Sequence, residues 1–367
     1  MVKRLDPSLF VKAATFETEE VYRPKNNFWD LKIDKQLKTN ISYRGYKEMT
    51  PIQDEAILPL LSGRDLVGIA STGTGKTAAF LIPLINKVTK DRSQKVLIIA
   101  PTRELAVQIE AELKSFAKNM GIYSVLCIGG LSMGPQISLL LRRPNFVIGT
   151  PGRLRDLEGQ KKLNFGDYKT IVLDEVDRML DMGFIADVTY IINKLAKIRQ
   201  SLFFSATMPE KVAQITLGFL QNPVMVRVKT VCASANVNQD VIKLAGQPKL
   251  EVLERLLRKE GFNKVLVFGR TKHGVNKLSR DLKMKGFITA EIHGNKTQAQ
   301  RQRAIGQFKN DQVKVLLATD VASRGLDINN ITHVINYDQP ESYEDYIHRI
   351  GRTGRAGKSG TALTFID

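Results

Sequence analysis

The sequence predicts an α/β protein of two open, mostly parallel sheets, each covered by helices on both faces. Three observations carry this expectation. The chain has 367 residues, more than one typical hydrophobic core encloses, so two domains are expected. Short runs of Val, Ile and Leu alternate with amphipathic stretches of helical period. The runs are continuous rather than alternating, which is the pattern of strands buried on both faces.

Taken in order, residues 1–27 mix charges with Pro7 and Pro24 and show few periodic apolar positions, so a basic, irregular N-terminal extension is expected. The first domain is placed at residues 28–229, with strand runs at Leu66–Ala70, Val96–Ala100, Val125–Ile128, Phe146–Gly149, Ile171–Leu173, Leu202–Phe204 and Val224–Val228. Pro83 falls inside the helical stretch after the first run, where a kink is expected. Residues 230–238 are small and polar without sustained period and read as a linker. The second domain, residues 239–367, repeats the pattern at Val241–Leu244, Val265–Phe268, Ile288–Ile292, Val313–Leu317, His333–Asn336 and Ala362–Ile366. It stops in or just after a strand run, so a truncated core is expected. Two such sheets in tandem would set their loop-rich carboxyl edges against a cleft, where ligands bind.

Composition narrows the function classes. A hydrophobic content of 43% and an aromatic content of 7% suit globular domains, and no apolar run approaches the roughly 20 residues that span a bilayer. Met1–Leu5 lacks an apolar signal core, so secretion is not expected. The two cysteines, Cys127 and Cys232, form no CxxC pair, and the four histidines are scattered, so no zinc site is expected. A reducing, cytoplasmic location fits this usage. The net charge of +18 points to a polyanionic partner, without choosing RNA over DNA.

Two segments carry chemistry. Ala70-Ser71-Thr72-Gly73-Thr74-Gly75-Lys76-Thr77 follows the first apolar run, although a strict phosphate loop would begin with Gly at position 70. A strand feeding such a loop and then a helix presents backbone N–H groups and a positive helix end to phosphate. Lys76 can reach the β- and γ-phosphates, and the Thr77 hydroxyl is placed for Mg²⁺. Asp174-Glu175-Val176-Asp177 follows another apolar run. There Asp174 can complete the Mg²⁺ shell, and Glu175 can orient or deprotonate a water. Together the two segments read as an NTPase.

With these residues in place, the chain resembles the DEAD-box ATP-dependent RNA helicases of superfamily 2, from Phe28 to Gly357 and through about a dozen motifs in family order. The resemblance implies two tandem RecA-like domains that bind ATP and RNA at the cleft between them. Gly45-Tyr46-Lys47-Glu48-Met49-Thr50-Pro51-Ile52-Gln53 resembles the Q motif, with Met49 where proline is common. Gln53 would match the adenine edge and Phe28 would stack on the base. Thr102 and Arg103 of Pro101-Thr102-Arg103-Glu104-Leu105-Ala106, Gly130 of Gly129-Gly130, and Thr150 and Arg153 of Thr150-Pro151-Gly152-Arg153 resemble RNA-contact motifs. Val176 replaces the alanine of the name-giving motif. Ser205-Ala206-Thr207, with Asp177, resembles the segment that couples nucleotide state to domain closure.

In the second domain, Arg270 and Thr271 lie in a segment similar to motif IV, and Gln298 to Arg301 resembles the family's Gln-x-x-Arg element, which implies RNA contact. Ala318-Thr319-Asp320-Val321-Ala322-Ser323-Arg324-Gly325-Leu326-Asp327-Ile328 resembles motif V. By that similarity Thr319 would contact RNA phosphate, Asp327 would take the ATP ribose hydroxyl, and Gly325 would belong to the ATP-binding residues. His348-Arg349-Ile350-Gly351-Arg352-Thr353-Gly354-Arg355 resembles motif VI, with Arg352 and Arg355 as arginine fingers and His348 as a coupling residue. The implied activity is RNA-stimulated ATP hydrolysis by a monomeric core, coupled to local strand separation. An ATP-gated RNA clamp and a DNA-translocating motor share much of this kit and stay open.

Overall fold

A computed structural model describes residues 5–14, 22–71, 73–228, 236–323, 328, 330–354 and 359–367. Two compact units emerge: residues 19–230 form one, and residues 1–18 join residues 231–367 in the other.

The larger unit holds a seven-stranded sheet. Its strands are β1 (Leu66–Ile69), β2 (Val96–Ile99), β3 (Ser124–Cys127), β4 (Phe146–Gly149), β5 (Thr170–Asp174), β6 (Gln200–Ser205) and β7 (Val224–Arg227). The spatial order is β3-β4-β2-β5-β6-β1-β7, and every pairing is parallel. Parallel neighbours need long crossovers, and helices on the two faces supply them. The double burial read from sequence is visible along β2. Val96 and Ile98 enter one face cluster with Phe80 and Phe116, while Leu97 and Ile99 enter the other with Phe165 and Leu173.

Register decides where the loops emerge. Ile69 pairs with Ser205, Asp174 with Phe204, and Ile99 with both Leu173 and Gly149. The segments after β1, β2, β4, β5 and β6 therefore leave from one carboxyl edge. Helix Lys76–Lys90 runs on through Pro83, whose ring is buried.

The smaller unit holds a six-stranded sheet of β8 (Val237–Lys243), β9 (Val265–Phe268), β10 (Thr289–Ile292), β11 (Val315–Ala318), β12 (His333–Asn336) and β13 (Gly360–Ile366). The order is β10-β11-β9-β12-β13-β8, again parallel throughout. Leu266 and Phe268 face one cluster with Phe308 and Tyr346, and Val265 and Val267 face the other with Leu253 and Leu282.

Two boundaries differ from the sequence reading. Strand β8 begins at Val237, inside the stretch read as linker, and residues 229–235 lie outside the described residues. The described parts of the N-terminal segment, residues 5–14 and 22–27, are also more ordered than their composition suggested. Pro7–Phe10 forms a 3₁₀ turn capped by Asp6, and Phe10 is 0% exposed with its ring centroid 4.7 Å from that of Tyr346. Lys12 and Gln239 exchange backbone hydrogen bonds of 3.0 and 2.8 Å in an antiparallel bridge. Tyr22, Lys25 and Asn26 all donate to the buried Asp54 carboxylate of the larger unit. Isolated anchors of this kind carry no periodicity, so pattern reading misses them.

Candidate ATP and RNA site

Each unit carries its own share of the predicted residues. In the larger unit, Gly73 and Gly75 adopt φ values of +86° and +92°, turning the chain from β1 into helix Lys76–Lys90. A Cβ on Gly75 would lie 2.3 Å from Gln53 Nε2, so both the dihedral and the crowding demand glycine. Lys76 is buried and its Nζ donates to the Ala70 carbonyl at 2.6 Å. Thr74 donates to the Ser71 carbonyl at 2.8 Å, and Thr77 follows Lys76 in the first helical turn. Thr72 lies outside the described residues.

The Q-motif side chains are already occupied. Gln53 Oε1 accepts from the Thr50 N–H at 3.0 Å, and Nε2 donates to the Gly75 carbonyl at 3.2 Å. Reading an adenine edge thus requires exchanging the Gly75 bond for one to the base. Phe28 is 0% exposed and meets Tyr46 edge-on at 5.9 Å. A ring with no exposed face cannot stack on a base, so the expected stacking requires Phe28 to be uncovered.

Asp174 ends β5 and is buried. Burial pushes its carboxyl up to about 7, with Lys76 opposing and Glu175 adding to the rise. Among the described residues its Oδ1 has no hydrogen-bond partner. A buried, orphaned carboxylate oxygen beside a phosphate loop suits a hard cation such as Mg²⁺, with the Thr77 hydroxyl as the second protein oxygen. Glu175 sits at φ 56°, ψ 54°, a left-handed conformation uncommon outside glycine, and its carboxylate takes a hydrogen bond from Arg178. Asp177 Oδ2 accepts from the N–H groups of Ala206 (3.0 Å) and Thr207 (2.8 Å) and from the Thr207 hydroxyl (3.0 Å). The Ser205 hydroxyl accepts from the Asp177 N–H at 3.3 Å. The predicted coupling residues of this unit are therefore in direct contact.

Around the same edge, Thr102 caps helix Arg103–Phe116 by accepting from the Leu105 N–H at 3.3 Å. The Arg103 guanidinium lies over Gly130, where a Cβ would stand 2.2 Å from Nη1. Thr150 is buried at the start of helix Pro151–Gly159, and Arg153 Nη1 donates to the Leu131 carbonyl at 3.2 Å.

In the smaller unit, Arg270 is exposed and follows β9, its N–H bonded to Asp338 at 2.9 Å. Thr271 caps helix Lys272–Met284. Gln298 and Arg301 share one turn of helix Gln298–Lys309 and are buried. Thr319 follows β11 at the same carboxyl edge. His348 and Arg352 belong to the end of helix Tyr343–Ile350 and the turn after it, where Arg352 Nε donates to the His348 carbonyl at 3.3 Å. Gly325, Asp327 and Arg355 lie outside the described residues.

These placements accompany clear kinship. Residues 50–215 match the family model described as DEAD/DEAH box helicase, and residues 248–357 match the helicase conserved C-terminal domain. A solved structure described as a DEAD box protein from the hyperthermophile Methanococcus jannaschii is 39% identical, with 93% of each chain covered and a TM-score of 0.54. The chain belongs to the DEAD-box helicase family. Its two parallel sheets with flanking helices are the tandem RecA-like domains of DEAD-box proteins. Dbp5 of S. cerevisiae, solved bound to RNA and ADP BeF3, is 31% identical, with 93% of this chain and 89% of that one covered and a TM-score of 0.80. The ATP-dependent RNA helicase CshA of Listeria monocytogenes is 44% identical over 341 residues, covering 92% of this chain and 66% of that protein. The chain spans slightly under two thirds of the length of such curated relatives.

As a DEAD-box protein, the chain carries Val176 in its name-giving motif, and the structure shows where the extra bulk goes: Val176 is fully buried in the apolar cluster with Met179 and Leu173. Two arginines that the sequence reading gave no individual role are buried in these units. Arg349 is buried, bidentate to Asp320 at 2.6 and 2.7 Å, and bonded to Asn336 and the Asp338 carbonyl. It braces the helix that carries His348 against the segment after β11. Arg178, on the short helix Val176–Asp181, is buried and its guanidinium bonds to Glu175.

Proposed function

We propose that this protein is an ATP-dependent RNA helicase, hydrolysing ATP to ADP and phosphate when RNA is bound. The observation that carries the reading is the buried set of Lys76, Asp174 and Glu175 at one sheet edge, joined through Asp177 to Ser205 and Thr207. The phosphate loop and Lys76 bind the phosphates, while Gln53 and, once uncovered, Phe28 hold the base. Asp174 and Thr77 would hold Mg²⁺, which would supply positive charge to offset that of the phosphates. Glu175 orients the attacking water. Arg352 and Arg355 supply charge to the γ-phosphate when both domains engage the nucleotide, with Asp327 on the ribose. Arginines used this way contribute about 10³–10⁵ in kcat, so turnover is slow until RNA is gripped.

RNA is the partner, held by Thr102, Arg103, Gly130, Thr150 and Arg153 on one domain and by Arg270, Thr271, Gln298, Arg301 and Thr319 on the other. Hydroxyls, glycine N–H groups and guanidinium groups suit phosphate and 2′-hydroxyl contacts, which read the backbone rather than the bases. The working location is the cytoplasm, and the core acts as a monomer. The test is steady-state ATP hydrolysis with a single-stranded RNA, the matching DNA, or neither. The expected result is stimulation of at least tenfold by RNA and little by DNA. Equal rates in all three would defeat the reading, and equal stimulation by DNA would move the protein to the translocating branch.

A further inference from the structure

Arg178 directly follows the acidic segment and faces back toward it. Its Nη1 donates to Glu175 Oε2 at 2.5 Å, and both side chains are only 6% exposed. An exposed pair at this spacing contributes little. A buried pair differs, because desolvating two charges costs several kcal/mol per ion and only close geometry offsets it. Glu175 also holds a left-handed backbone, a further cost for a residue with a side chain. Both costs fall on the one carboxylate assigned to the attacking water.

The support under Arg178 is rigid. Val176 and Met179, on either side, are fully buried in the core. The Arg178 N–H donates to Asp177 Oδ1 at 3.0 Å, while Asp177 Oδ2 is held by Ala206 and Thr207. One residue thus touches both acids: its backbone binds the carboxylate joined to Ser205-Ala206-Thr207, and its side chain binds the carboxylate of Glu175.

We propose that Arg178 is a positioning residue for hydrolysis. It fixes Oε2 of Glu175, leaves Oε1 to the water, and ties that orientation to the segment around Thr207. The proposal rests on the assignment of Glu175 as the water-orienting group.

The experiment compares full-chain Arg178→Met, Arg178→Lys and Glu175→Gln in RNA-saturated ATPase, with kcat, KM for ATP and melting temperature measured for each. Methionine keeps an apolar stem without the guanidinium, and lysine keeps the charge without the planar fork. Misplacing a reacting group by about 1 Å can cost on the order of 10²-fold, so Arg178→Met is expected to lose at least about 30-fold in kcat. Its KM should stay within about threefold, and Arg178→Lys should recover part of the loss. A charge-balancing role alone would lower the melting temperature and leave kcat at the wild-type value, which would overturn the proposal. If Arg178→Met does not fold, Arg178→Lys decides: a fall in kcat of about fivefold or more at unchanged KM supports it, and wild-type kcat sinks it. Glu175→Gln separates the two layers. Normal turnover there overturns the water assignment itself, whereas a dead Glu175→Gln beside fully active Arg178 variants overturns only the role of Arg178.

Discussion

His333 opens β12 with its ring stacked on Phe262 at 3.7 Å and its Nδ1 near the Thr332 hydroxyl. Burial pushes the imidazole down to about 4 from an ordinary value of 6.5. Between these values the unfolded chain takes up a proton that the folded chain refuses, so stability falls as pH drops from about 6.5 to about 4. His333→Phe keeps the stack and removes the titration. Urea midpoints of the smaller unit at pH 7 and pH 5 should differ more in the wild type than in the variant; equal differences would contradict this assignment. At this scale the sequence was legible where chemistry dictates residue type. Lys76 opens the helix after β1, Asp174 ends β5, and Asp177 accepts from the Thr207 hydroxyl. What escaped was the pairing that depends on distant folding, such as the Gln53 bond to Gly75 and the burial of Phe28 against Tyr46.

Among elements, all the apolar runs became strands, because burial on both faces writes a continuous signal. Strand ends moved by a residue or two, and β8 began earlier than its apolar run, since its first half alternates buried Val237 and Gln239 with exposed neighbours. The N-terminal turn stayed illegible because its one core residue, Phe10, finds Tyr346 near the other end of the chain. Phe10→Ala removes a fully buried ring and should cost about 3–5 kcal/mol. The loss belongs to the smaller unit alone. Trp29, the only tryptophan, lies in the larger unit and serves as its reporter. In urea, far-ultraviolet circular dichroism should show an earlier transition in Phe10→Ala while the tryptophan fluorescence midpoint stays put. A shift of the fluorescence midpoint by the same amount would contradict this packing.

For the whole molecule, the proposed function reads the charge of +18 and the two RecA-like domains as a means of gripping a polyanion in step with a nucleotide. Binding energies linked in this way are reciprocal: if RNA favours the arrangement that holds ATP, ATP must favour RNA by the same factor. The central claim is tested most directly by the affinity for a fluorescent single-stranded RNA at fixed salt, with and without a non-hydrolysable ATP analogue and Mg²⁺. Binding should tighten at least tenfold with the analogue, and the matching DNA should show no such gain. RNA affinity that is identical with and without the analogue would contradict the account.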